Sequence, residues 1–104
     1  SGGVRTIEVD ITVAGAPKRI SGTGNGPISA FSDAIKKDLG IDVDVKHYHE
    51  HSLGDDSNSK AATYIAAQLA DGSTRWGVGI HEDVSQASFI SLVSILNSIH
   101  RDQK

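Results

Sequence analysis

Cysteine is absent from this chain of 104 residues. That excludes a disulfide framework and a thiolate zinc site, and it makes the cytoplasm the expected setting. Long apolar runs are also missing: none approaches the roughly 18 residues that a membrane-spanning helix needs. Lys and Arg number 10 against 13 Asp and Glu, a formal net charge of −3, and the basic residues form no cluster. Binding to nucleic acid or to an anionic membrane, both of which rest on neutralising phosphates, is therefore not expected. The catalytic signatures G-x-S-x-G and H-E-x-x-H do not occur, so no catalytic residue is assigned. What remains is one small globular domain with an ordinary balance of 38% hydrophobic and 22% charged residues. Ser1-Gly2-Gly3 reads as a remnant of cloning.

The most informative stretch is Ser21-Gly22-Thr23-Gly24-Asn25-Gly26-Pro27, directly before the periodic run Ile28-Ser29-Ala30-Phe31-Ser32-Asp33-Ala34-Ile35. It predicts a strand turning into a helix, with Pro27 at the first helical position and Gly26 as the cap. Glycines at positions 24 and 26 let the backbone take left-handed or cramped angles and let a small molecule approach the amides. A helix start of this kind attracts a carboxylate or a phosphate. Neither nucleotide fingerprint fits, since G-x-G-x-x-G counted from Gly22 ends on Pro27 and no Gly-Lys-Ser/Thr follows.

Alternation of Ile7, Val9, Ile11 and Val13 with polar residues predicts a strand wet on one face. After the turn Ala14-Gly15-Ala16-Pro17, Lys18 to Ser21 reads as the return strand. A helix is predicted from about Pro27 to Leu39, stopped by Gly40. Ile41, Val43 and Val45 mark a third strand, and Leu53 to Ser59 a polar loop. Ala61 to Leu69 reads as a strand, Asp71-Gly72 as a hairpin turn, and Thr74 to Ile80 as a return strand carrying Trp76, Val78 and Ile80 on one face. Asp83 caps a second helix that ends near Ile99, with an apolar ladder of Val84, Ala87, Ile90, Val93 and Leu96. The halves repeat: hairpin, G-x-G, helix occurs twice, with the Ile41 strand as a link. The fold class is α/β, in an α+β two-layer form of two pseudo-symmetric hairpin–helix units, whose bare faces call for packing across a pseudo-twofold or a dimer twofold.

His47, His49 and His51 fall at alternate positions and so share one face of a regular strand. Two readings stand: a metal-binding interaction module, or rings that cover an exposed or interfacial sheet face.

Arg19-Ile20-Ser21-Gly22-Thr23-Gly24-Asn25-Gly26-Pro27 resembles the signature of the C-terminal regulatory domain of 2-isopropylmalate synthases of the actinobacterial type. Tyr48-x-Glu50-His51, Ala61-Ala62-x-Tyr64 and Trp76-Gly77-Val78-Gly79-Ile80 continue the resemblance, which covers Ile7 to Ile99. It implies that residues 1–104 form a single regulatory domain that dimerises and binds L-leucine for feedback inhibition. The catalytic barrel and the linker domain would lie outside this chain. The barrel would condense acetyl-CoA with 2-oxoisovalerate and use a divalent metal, whereas no cofactor is expected in the regulatory domain. Its partners would be L-leucine, a second copy and its own catalytic domain. An isoleucine-sensing domain of a citramalate synthase is the alternative. Carried over by motif, Gly24, Asn25 and Gly26 would cradle the amino-acid head group, and Ile28, Val45, Tyr48 and Ile80 would line an aliphatic pocket. Ser52, Ser59 and Ala61 would lie nearby, and Glu82 would meet the ammonium group. His47 and His49 depart from the aspartate and tyrosine of the family. Val45 and Tyr48 cannot share a face of a regular strand, so a bulge or a long reach by Tyr48 is required.

Overall fold

The structure, a computed structural model, describes residues 4–54 and 59–102. Strands β1 (Arg5–Val13) and β2 (Ala16–Gly24) form an antiparallel hairpin. Its turn is Ala14-Gly15, with φ of 55° and 80°, the paired positive angles that match the twist of a two-residue hairpin. The return strand thus begins at Ala16 and not at Lys18. Pro17 lies within β2 opposite Thr12, on the free edge of the hairpin, where a missing N–H removes no ladder bond. Helix α1 (Pro27–Ala34) follows and passes into a π-helical turn, Ile35–Leu39, that ends on Gly40 at φ 71°.

The wider turn was not foreseen, and it has a structural use. The backbone N–H of Thr23 donates to Asp33 Oδ2 at 2.9 Å and that of Ser21 to Asp38 Oδ2 at 2.8 Å. In a regular α-helix, two residues five apart point about 140° away from each other. Opening the turn brings both carboxylates onto β2 and caps its outer edge, which would otherwise present free amides.

Strands β3 (Val43–Ser52), β4 (Ala61–Leu69) and β5 (Thr74–His81) form an antiparallel sheet in the order β3-β4-β5. The Asp71-Gly72 hairpin forms as expected, with Gly72 at φ 87°. The register of β3 shifts between Val45 and His47. This bulge answers the parity problem: Val45 pairs with Ala67 and Tyr48 with Ile65, so both face the helices. Beyond it, His47, His49 and His51 pair with Ala66, Tyr64 and Ala62 and share the outer face with Trp76, Val78 and Ile80.

Helix α2 (Val84–Asp102) lies against the inner face. Two glycines decide how closely. A Cβ on Gly77 would fall 2.1 Å from the Ser91 carbonyl, and one on Gly79 would fall 2.0 Å from that of Ala87. In the first repeat, Gly22 and Gly24 admit the backbone of α1 at Ala30 and Ser29 in the same way. Because the sheet meets α2 at Ala87 and Ser91, the buried stripe is Ala87, Ser88, Ser91, Leu92, Ile95 and Leu96. The expected ladder is corrected here, for Val84 and Ile90 are each 41% exposed. Phe31 of α1 stacks on Phe89 of α2, centroids 4.9 Å apart, which joins the two repeats in one core with Ile20, Ile35, Val43 and Ile65. Inside it, Thr63 Oγ1 and Ser91 Oγ lie 2.6 Å apart, and the Ser91 hydroxyl is also within reach of the Thr63 and Ala87 carbonyls. That satisfies the polar groups that the close packing buries. Among the described residues no helix is long and apolar enough to cross a membrane.

Candidate functional site

The starts of α1 and α2 meet at an open cleft of about 330 Å³ lined by Gly26, Pro27, Ile28, Ser29, Tyr48, Val84, Ser85 and Ser88. Gly26 is the N-cap of α1, and its carbonyl accepts the Ala30 N–H at 2.9 Å. Among the described residues no side chain caps this helix, and no acidic residue lies in its first turn. Its first amides carry partial positive charge toward the cleft end of the helix. Tyr48 stands on β3 across from them. Its hydroxyl lies 3.2 Å from Glu50 Oε2 and 3.4 Å from Ser88 Oγ.

Gly26 is unusual among the nine described glycines. Gly15, Gly40 and Gly72 hold positive φ, Gly22, Gly24, Gly77 and Gly79 admit a helix backbone, and a Cβ on Gly54 would sit 3.2 Å from Ser59. Gly26 has φ −157° and ψ 177°, extended backbone that any residue adopts, and a Cβ there would meet nothing within 4 Å. The expectation of left-handed or cramped backbone therefore holds in part: Gly24 is cramped and Gly26 is neither. The fold does not require glycine at position 26, and the residue leaves the helix start without a side chain.

A second cleft of about 410 Å³ adjoins the first at Val84 and is lined by Glu50, His51, Ser52, Ser59, Lys60, Ala61 and Glu82. The structure thus brings Gly26, Ile28 and Tyr48 together in one cleft and Ser52, Ser59, Ala61 and Glu82 in the next. Four expected residues lie elsewhere. Gly24 packs on α1, Asn25 is exposed in the loop, and Val45 is partly buried against the core. Ile80 pairs with Ala62 on the outer face of the sheet, opposite to Tyr48, and is 50% exposed. Sequence reasoning missed Val84, Ser85 and Ser88 as cleft residues. Nothing local marks them, but the repeat does, since Val84 takes the place of Pro27 at the start of the second helix.

The three histidines share a face as expected. His47 stacks on Trp76 at a centroid distance of 6.5 Å, and His51 meets the edge of Tyr64 at 5.7 Å. Among the described residues no three His, Asp or Glu side chains are grouped so as to hold a metal ion.

A family model described as the LeuA allosteric (dimerisation) domain matches residues 1–100. The chain belongs to this family. Among curated relatives, the 2-isopropylmalate synthase of Thermobifida fusca is 41% identical over 91 residues, 88% of this chain and 16% of that protein. That of Kineococcus radiotolerans is 42% identical over 95 residues, covering 91% and 16%, and that of Mycobacterium ulcerans 39% over 100 residues, covering 96% and 17%. The LeuA domain therefore spans about a sixth of the length of the relatives it matches. The matched part is the one that the family model describes as allosteric and dimerising.

Proposed function

We propose that this LeuA domain senses L-leucine and conveys feedback inhibition to a 2-isopropylmalate synthase of which it is the regulatory part. The reading also takes the working unit to be a homodimer joined to its own catalytic domain. The observation that carries it is Gly26: a glycine that the fold does not need, at a helix start without a side-chain cap, opening on a cleft with an apolar wall. The leucine carboxylate takes the place of the missing cap at the first amides of α1. Ile28, Val84 and the ring of Tyr48 receive the side chain, and Glu50 or Glu82 faces the ammonium group from the neighbouring cleft.

Magnitudes set what else is needed. A carboxylate at a helix start gains about 0.3–2 kcal/mol, and burial of a leucine side chain about 1.5–3 kcal/mol. Together these reach roughly millimolar binding, about 4 kcal/mol, so direct hydrogen bonds to the head group supply the remainder. Preference for leucine over isoleucine turns on the position of one methyl group, about 1–3 kcal/mol. The test is calorimetric titration of the domain with leucine and with isoleucine at two temperatures. Saturable heat with leucine, weaker with isoleucine, is expected. No heat from leucine at millimolar concentration at either temperature would overturn the reading, and tighter binding of isoleucine would move it to the citramalate branch.

A further inference from the structure

Asn25 and Gly26 form the only asparagine–glycine pair in the sequence, and they stand directly before α1. We propose that this pair is a site of spontaneous modification: Asn25 loses its side-chain ammonia through attack by the Gly26 amide nitrogen, which leaves a carboxylate at the start of α1. The chemical step is independent of the leucine reading. Its effect on the effector rests on that reading.

The step needs no reactant but water. The Gly26 amide gives its proton to solvent, its nitrogen bonds to Cγ of Asn25, and a cyclic succinimide closes as the side-chain nitrogen leaves as ammonia with a proton drawn from water. Water then opens the ring at either carbonyl. The products are aspartate and isoaspartate, the latter with its main chain running through Cγ.

The fold leaves this route open at Asn25. Gly26 offers an unhindered nucleophile, since a Cβ there would meet nothing within 4 Å, and among the described residues neither its N–H nor the Asn25 side chain makes a hydrogen bond. Asn25 is exposed in the short link between β2 and α1, outside both the ladder and the helix, so its backbone is free to bring the nitrogen to Cγ. The positive end of α1 favours the negative charge that develops during attack. Comparable positions are locked. Asn97 is also exposed, but it lies within α2, where the helix holds the Ser98 N–H and Asn97 Oδ1 accepts the Ala14 N–H at 3.3 Å. Asp71-Gly72 has a glycine amide too, yet that N–H donates to the Leu69 carbonyl at 2.9 Å, and Asp71 Oδ1 accepts both the N–H and the hydroxyl of Ser73. Asn58 lies outside the described residues. The product at position 25 supplies a carboxylate that competes with that of leucine for the amides of α1, so the domain loses sensitivity to its effector as it ages.

Incubation of the native protein in mildly alkaline buffer, followed by peptide mapping that separates aspartate from isoaspartate, tests the step. Conversion at Asn25 is expected to run at least about tenfold faster than at Asn97, where α2 must open first. Gly26→Ala, which the open space admits, should slow it severalfold by crowding the nucleophile. An Asn25 that stays intact, or that converts no faster than Asn97, would overturn the proposal. The converted fraction, separated by ion exchange, and an Asn25→Asp variant should each bind leucine about tenfold more weakly in calorimetry. Unchanged affinity in both, with conversion at Asn25 established by mapping, would keep the modification and overturn its effect on the effector.

Discussion

Gly26 and Asp83 hold the same place in the two repeats, and the carbonyl of each accepts the first helical hydrogen bond, from Ala30 and from Ala87, at 2.9 Å in both. They differ in what closes the helix start. Asp83 Oδ1 accepts the N–H of Ser85 at 2.8 Å and that of Gln86 at 3.3 Å, while the Asp83 N–H donates to His81 Nδ1 at 2.9 Å. Helix α2 is thus finished by its own sequence. Helix α1 has a glycine where the carboxylate would be, and its amides are left for something else. The two copies share a frame, and only the second closes its helix start with its own side chain.

The comparison can be broken in order of effect. The largest change should come where the copies agree. Gly22→Ala and Gly77→Ala each force a methyl group into helix backbone, at 2.2 Å from the Ala30 carbonyl and 2.1 Å from that of Ser91. Each should cost about 1–3 kcal/mol or more in urea unfolding, and a loss well under 1 kcal/mol in either would mean that the helices do not sit so close. Next comes Gly26→Asp, which copies the α2 cap into α1. Stability should shift by only a few tenths of a kcal/mol, yet leucine binding in calorimetry, and leucine inhibition of the full-length enzyme, should disappear. Retained inhibition in a folded Gly26→Asp protein would remove the head-group site from α1. Asp83→Ala should lose about 1 kcal/mol of stability and disturb leucine affinity far less than Gly26→Asp does.

The smallest effect concerns the exposed carboxylates. The hydrogen bond from Arg19 and its charge hold Asp10 below the ordinary aspartate value, and hydrogen bonds from Ser73 do the same for Asp71. Depressed folded values mean that their contribution is present above the ordinary value and is lost as pH falls through the lowered ones. Asp10→Asn should therefore flatten the acid limb of the stability curve slightly and leave neutral pH almost unchanged, because the Asp10–Arg19 pair is fully in solvent.

Much of this arrangement was legible wherever the cause is local. The turn at Ala14-Gly15, the stop at Gly40, the cap at Asp83 and the alternation of β1 each depend on a few neighbouring residues. The conflict between Val45 and Tyr48 called for a bulge or a long reach by Tyr48, and the structure has the bulge, before His47. What escaped is non-local. The π turn exists because Asp33 and Asp38 must both reach β2, and the face that α2 buries is chosen by glycines on β5. Nor does periodicity alone place Ile80, whose strand alternates correctly but whose apolar side is the outer one. At the candidate site, Gly26, Ile28 and Tyr48 line one cleft, whereas the contribution of Val84 and Ser88 needed the second helix to be laid beside the first.

Tyr48 joins these parts in one further way. Its hydroxyl reaches Ser88 of α2 while its ring faces the beginning of α1, so the cleft is a seam between the duplicated halves. A guest in a seam acts as a spacer. Whatever separation of the two helix starts it fits best is the one it favours, by no more than the difference between its affinities for the closed and the open gap. The signal that leaves this domain would then be an angle between two halves of one chain, set by the width of an amino acid.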